Sequence, residues 1–331
     1  MPIVDLAPKR VALKSQNSMV SDALCRAKWI VLVDKHGPPE GDFADISFLP
    51  YMPNARGDGY LAYHAPTPHL LDFPGPRAWF STEPATHRSF RSKEFLHYQR
   101  HRNQFGFLHH SPGADMFVPM LTHYTLQPQC RDVNARINAA VAVVSNHGGR
   151  FWRLKRGESL RNRFLLCDQV HLFGSDTAWS AFRRWPWTSA AAPANYRGNW
   201  TASYLEAAHI DRLSTYRASL CLENSVTPNY FSEKFVNAVR AGCIPIYHAH
   251  PSVRAAYLQH AAFVDPADHN LNPTATLKAA LALNRETVAA QNFRWLDGQS
   301  VQSTGHHAIW TKIAEYFSAQ FRSRGPEAPI V

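Results

Sequence analysis

Hydrophobic residues fall in short runs separated by polar and turn-forming stretches, and in the second half of the chain these runs alternate with helical periodicity. Residues 140–144, 170–173, 218–222, 244–247 and 262–265 read as buried strands. Helices are predicted between them over 157–167, 205–217, 233–241 and 275–283, and an amphipathic helix over 307–321 comes last. Such alternation predicts a parallel sheet of Rossmann type. The first third is also α/β but richer in turns, with strands expected at 27–34, 46–49, 60–63 and 78–80 and shorter segments at 104–108 and 117–121. The polar, Pro-containing stretch 127–133 reads as a linker, and 181–198 as an irregular loop rich in Trp, Pro and Arg. The expected organisation is an N-terminal domain over 1–130, a C-terminal domain over 136–300, and a last helix, 305–322, packing back on the first domain.

The strand at 218–222 ends abruptly in polar Glu223-Asn224-Ser225. A turn-rich loop follows, Thr227-Pro228-Asn229-Tyr230. Ser232 is then expected to cap a helix with its hydroxyl, and Gly242 to stop it. This gathers Glu, Asn, Ser, Tyr, Glu and Lys around one helix start, where free N–H groups and a partial positive charge suit a phosphate. Lys234 in the first turn opposes the helix dipole, a cost that an external phosphate would offset. Glu233 beside it can accept hydrogen bonds from sugar hydroxyls. A capped helix carrying a solvated Glu-Lys pair fits the same spacing.

Composition narrows the classes. A chain of 331 residues with 45% hydrophobic and 12% aromatic content is globular and long enough for two domains. No apolar run approaches the ~20 residues of a membrane helix, and Met1-Pro-Ile-Val-Asp-Leu lacks the layout of a signal peptide. A cytoplasmic protein is therefore expected, with at most peripheral contact with a membrane. Five scattered cysteines support neither a disulfide framework nor a zinc ribbon, and the histidine clusters His109-His110, His248-Ala-His250 and His306-His307 lack ligand spacing. No metal site is expected, and no Asp-x-Asp pair is present to hold a metal on a sugar nucleotide. The formal charge of +10 is concentrated at Arg150, Arg153, Lys155, Arg156, Arg161 and Arg163, with Arg183-Arg184 beyond. Such a cluster attracts phosphate, nucleic acid or an anionic membrane, but no nucleic-acid signature accompanies it.

The central stretch resembles the donor-binding signature of the α-1,3-fucosyltransferase family. The matching positions are Leu220, Leu222-Glu223-Asn224-Ser225, Tyr230-Phe231-Ser232-Glu233-Lys234 and Ala241-Gly242-Cys243-Ile244-Pro245-Ile246. Two departures, Leu222 for an aromatic and Ser232 for Thr, are mild. The likeness extends to Val143-Val144-Ser145-Asn146, to Leu160-Arg161-Asn162-Arg163-Phe164 and to Phe263-Val264-Asp265. Towards the N-terminus, Phe80-Ser81-Thr82-Glu83-Pro84 resembles the segment that carries the family's proposed catalytic base. Residues 136–270 match as a block and residues 1–135 only in pieces.

The resemblance implies an α/β GT-B fold, two Rossmann-like domains facing across a cleft, and inverting transfer of L-fucose from GDP-fucose to a glycan hydroxyl. It gives Glu83 as base and Arg161 and Lys234 as groups on the departing diphosphate. Tyr230 and Glu233 would bind the donor, with Glu223 and Asn224 lining the same pocket. No cofactor is implied, although a divalent cation could stimulate. A lipid-linked acceptor would account for the remaining positive charge, and no nucleic-acid partner is expected. Two alternatives fit the residues as well: a GT-B transferase for another nucleotide sugar, and a non-catalytic basic module that binds nucleic acid or anionic lipid.

Overall fold

The computed structural model describes residues 3–5, 30–35, 59–63, 66, 69–83, 90, 93–119, 126–129, 137–144, 160–165, 167–174, 194–204, 206–223 and 225–323. In the first part of the chain its elements are β1 (Ile3–Asp5), β2 (Ile30–Lys35), β3 (Gly59–Tyr63), α1 (His69–Asp72), β4 (Arg77–Phe80), α2 (Lys93–Arg100), β5 (Gly106–His109) and β6 (Met116–Phe117). The middle holds β7 (Ile137–Val144), α3 (Leu160–Leu165), β8 (Val170–Gly174), α4 (Ala207–Ser214), β9 (Tyr216–Leu220), α5 (Glu233–Arg240) and β10 (Ile244–Ile246). Helices α6 (Pro251–Ala256), α7 (Pro273–Ala282), α8 (Arg285–Leu296), α9 (Gln299–Gln302) and α10 (His306–Ser323) complete it. The fold class is α/β. The chain divides into two units, the first comprising Met1–Thr125, Thr227–Tyr230 and Ser303–Val331, the second Leu126–Val226 and Phe231–Gln302.

The first unit is built on a six-stranded sheet in sequential order β1 to β6, parallel except for the β1–β2 pair. β3 is buried on both faces, which is why it reads as an unbroken apolar run rather than an alternating one. Tyr60, Ala62 and Trp79 pack with Leu70, Phe90, Tyr98 and Phe105 on one face. Leu61, Tyr63, Ala78, Phe80 and Leu108 pack on the other face against Ile309, Trp310, Ile313 and Phe317 of α10. The C-terminal helix thus supplies half of the core of a sheet made from the N-terminal third. Gly106 leaves room for this packing: a Cβ there would meet the Tyr316 hydroxyl of α10 at 2.0 Å, so the Tyr316 ring would have to shift.

The second unit has a four-stranded, fully parallel sheet in the order β10-β9-β7-β8. One face carries Val141, Phe173 and Tyr216 under Phe235, Val236 and Val239 of α5, Ile210 and Leu213 of α4, and Trp295 of α8. The other carries Ala140, Ala142, Leu172, Ala218 and Ile244 under Phe164 of α3 and Leu277 and Ala280 of α7. Helices on both faces bury most positions of each strand, as parallel sheets demand.

Several boundaries differ from the sequence reading. The helix expected at 205–217 stops at Ser214, and the strand expected at 218–222 runs instead from Tyr216 to Leu220. Tyr216 and Arg217 continue the amphipathic pattern of α4, but pairing with Ile137 and its neighbours in β7 draws them into the sheet. Residues 262–265 form only an isolated bridge, Val264 to Ile246, because Asp265 turns to cap a 3-10 helix through the Ala267 N–H. Helix α8 was not expected at all. Its buried face, Arg285, Val288, Ala289, Asn292, Trp295 and Leu296, has helical spacing, but two of the six positions are polar. Arg285 is spent on the carbonyls of Gly242, Ala241 and Ser214, and Asn292 pairs with both main-chain groups of Ala262. Residues 127–129, the described part of the stretch read as linker, are tied to the second unit: Arg240 donates to the Gln127 carbonyl, and Gln129 bonds Ala207 and Asp211. The strand expected at 46–49 lies outside the described residues.

Candidate functional site

An open parallel sheet receives ligands beyond the carboxyl ends of its strands, where the strand order reverses. In the second unit the chain runs from β7 to β8 on one side and returns to β9 on the other, so the reversal lies between β7 and β9. Glu223 stands three residues past the end of β9, and α5 starts ten residues further on, with Glu233 as its first residue.

Glu223 is the hub of this end of the sheet. Its side chain is 2% exposed. Burying a carboxylate costs several kcal/mol unless donors surround it, and here they do. The Ser232 N–H donates to Oε1 at 3.0 Å, the Ser232 hydroxyl lies 2.7 Å from both oxygens, Lys234 Nζ donates to Oε2 at 3.1 Å and the Tyr247 hydroxyl to Oε1 at 3.1 Å. The expected cap is corrected by this arrangement. Ser232 does occupy the N-cap position, with extended backbone, but its hydroxyl makes no capping bond. That hydroxyl donates to Glu223 and accepts from Lys234 Nζ at 3.0 Å. The positive charge of Lys234 in the first turn is likewise offset from within the protein, by Glu223 and by Glu233 at 3.4 Å. No external phosphate is needed to keep it there. At the far end of α5, Gly242 adopts φ +65° and stops the helix.

In the first unit, the end of β4 delivers Ser81 and Glu83. The Glu83 N–H donates to Ser81 Oγ at 3.2 Å, and the Glu83 carbonyl lies 2.9 Å from Nε2 of His109, the last residue of β5. His109 and His110 are both fully buried, their rings 4.0 Å apart. Asn229 Nδ2 donates to the His110 carbonyl at 3.0 Å, and the Tyr230 ring lies 5.8 Å from that of His110. Asn229 takes φ +59°, a left-handed conformation that Asn tolerates, and so turns the segment at this contact.

Residues 135–319, more than half of the chain, match the family described as "Glycosyltransferase family 10 (fucosyltransferase) C-term". The chain belongs to glycosyltransferase family 10. No curated protein sequence matches it. Among solved structures, a crystal structure of an alpha1,3-fucosyltransferase is similar at 16% identity, covering 82% of this chain and 79% of that one, with a TM-score of 0.43. An alpha1,3-fucosyltransferase with GDP is similar at 14% identity over 90% of this chain and 96% of that one, TM-score 0.43. The N-terminal domain of Candida albicans trehalose-6-phosphate phosphatase is similar at 10% identity over 80% and 71%, TM-score 0.49. These likenesses are too distant to decide anything about the site. Family membership makes the chain a glycosyltransferase and displaces the reading as a non-catalytic basic module.

Of the residues singled out from the transferase's sequence, the structure brings Glu223, Glu233 and Lys234 together around one helix start. Arg161 lies half-buried in the first turn of α3, the helix that follows β7 and therefore flanks the reversal of strand order. Tyr230 is buried and groups with the first unit. Asn224 lies outside the described residues, as do Arg150, Arg153, Lys155, Arg156, Arg183 and Arg184. The Glu223 oxygens face Ser232, Lys234 and Tyr247. Two contributors were missed. Tyr247 directly follows β10 and reads as core, yet its hydroxyl reaches a carboxylate; its place at the strand's carboxyl end was the available signal. His109 was dismissed with the other clustered histidines. Among the described residues no helix is long and apolar enough to cross a membrane.

Three buried histidines make the transferase's stability depend on pH. Burial lowers His109 and His209 from 6.5 to about 4, and burial with the neighbouring His109 lowers His110 to about 2. In the unfolded chain each takes its proton near 6.5, so between there and about 4 the unfolded state binds more protons. Stability is therefore whole above 6.5 and falls as pH drops through that window, by roughly 2 kcal/mol for each histidine at pH 5. A melting temperature several degrees lower at pH 5 than at pH 7.5 is expected. Equal values at the two pH values would show that these rings are not buried neutral.

Proposed function

We propose that the transferase moves L-fucose from GDP-fucose to a hydroxyl of a glycan acceptor, with inversion. The observation that carries this is the Glu223–Ser232–Lys234 cluster, which sits at the ligand end of a parallel sheet and inside the family-matched region.

The reaction needs a carboxylate to take the proton of the attacking hydroxyl and positive groups for the departing diphosphate. Glu83 takes the first part. Its oxygen receives the proton as the hydroxyl oxygen bonds to the sugar's anomeric carbon and the bond to the phosphate oxygen breaks, leaving GDP. Lys234 and Arg161 meet the negative charge that GDP gains. Glu223 works one step back, by holding the Lys234 ammonium in place. The contact of that ammonium to Glu233, at 3.4 Å, is longer than those to Glu223 and Ser232, and both side chains are about a quarter exposed. It is the contact to give up when a phosphate arrives, and Glu233 is then released to accept hydrogen bonds from the sugar. Tyr230 and Asn224 complete the donor site. Two carboxylates around one ammonium leave this cluster at net −1, so Arg161 and the basic run before it must supply attraction for the diphosphate. A lipid-linked acceptor at an anionic membrane surface accounts for the charge beyond that.

Nucleotide release measured with a panel of donors tests the reading. GDP-fucose should turn over far faster than GDP-mannose or UDP-sugars in the presence of a glycan acceptor. Preferred turnover of another nucleotide sugar would move the assignment to a different donor.

A further inference from the structure

The His109 ring has a fixed tautomer and a fixed position. The Ser111 N–H donates to Nδ1 at 3.0 Å, and the Ser111 hydroxyl lies 2.6 Å from the same nitrogen. Nδ1 is therefore the acceptor, the proton sits on Nε2, and Nε2–H donates to the Glu83 carbonyl at 2.9 Å. The ring cannot swing. It stacks on Phe107 at 4.9 Å and 15°, with Phe90 at 5.3 Å and His110 at 4.0 Å, and it is 0% exposed. The bond also lies beyond the sheet: pairing of β4 with β5 ends at Phe80 with Leu108, and Glu83 is three residues further on. His109 thus extends the order of the sheet to the residue whose carboxylate must be placed for proton transfer.

We propose that His109 is a positioning residue for Glu83, holding the main chain that presents the carboxylate to the acceptor hydroxyl. This rests on the reading of Glu83 as base. A buried histidine that only satisfies its own polar atoms would stabilise the fold without favouring the chemical step. A positioning residue shows itself in rate, because a misplacement of about 1 Å at a reacting group costs on the order of a hundredfold.

The test compares His109→Gln with His109→Asn, alone and on a Glu83→Gln background. The Gln amide nitrogen can take the place of Nε2 and keep the bond to Glu83; the Asn amide reaches only the Nδ1 side and loses it. His109→Asn should lower kcat roughly ten- to a hundredfold with donor KM and GDP affinity unchanged, and His109→Gln should stay within about threefold of wild type. On the Glu83→Gln background His109→Asn should cause no further loss, since there is no base left to misplace. Equal losses in the two variants, or the same loss with and without Glu83, would overturn the proposal while the base assignment stands. Near-normal transfer by Glu83→Gln alone would overturn the base assignment and this proposal with it. Should His109→Asn fail to fold, Ser111→Ala removes one of the two partners that fix Nδ1 and should lower kcat at unchanged donor KM; an unchanged kcat there counts against the proposal.

Discussion

Glu83→Gln is expected to depress kcat by roughly 10²–10⁴ while GDP affinity stays near that of the wild type. A general base assists only in the transition state, so its loss separates chemistry from binding. Gln preserves the shape of the side chain, and the two main-chain bonds of this residue, to Ser81 Oγ and from His109 Nε2, survive the change. A melting temperature matching the wild type would show that the fold is kept, so that a fall in rate can be assigned to the missing carboxylate. The acidic limb of the pH–rate profile should vanish with it. Calorimetry with GDP and steady-state transfer rates read the two quantities separately. If transfer persists, the base belongs to another carboxylate of the first unit. Asp115 is then less suited, because Arg102 at 2.8 Å and the Phe107 N–H both hold its Oδ2 and tie the carboxylate to the start of β5. That leaves Glu94 as the first to try.

Lys234→Ala should act on two quantities at once. Removal of one preorganised donor from the leaving group costs on the order of 3 kcal/mol, about a hundredfold in kcat/KM, and GDP binding should weaken alongside. The second effect comes from Glu223. Its carboxylate stays buried and keeps the Ser232 N–H, the Ser232 hydroxyl and the Tyr247 hydroxyl, but it loses its only cationic partner among the described contacts. A hydrogen bond to a charged group contributes about 1.5–3 kcal/mol, so a stability loss of that order should accompany the loss of activity. Arg161→Ala should weaken GDP binding comparably. Wild-type GDP affinity in both variants would remove the pair from the diphosphate site, and an unchanged melting temperature for Lys234→Ala would mean that the Glu223–Lys234 bond is not what stabilises the helix start.

What the sequence by itself determined is the alternation. The runs around Val141, Leu172, Ala218 and Ile244 are apolar on both sides of each strand, and only a parallel sheet covered on both faces buries such runs. Gly242 had to stop α5, because the left-handed turn there suits a residue without a side chain. The gathering of Glu223, Glu233 and Lys234 was also legible, since a strand end, a short loop and a helix start place them together whatever else the chain does. Who bonds to whom was not. Ser232 carries every local mark of a capping residue, yet a buried carboxylate nine positions earlier takes its hydroxyl, because a hydrogen bond to a buried charge is stronger than one to a neutral N–H. Arg285 and Asn292 look like surface residues and are core, because main-chain carbonyls and amides from distant elements satisfy them. His109 could not be told from seventeen other histidines. Its part depends on two neighbouring parallel strands that end side by side, and that pairing between residues 26 apart exists only once the sheet has formed.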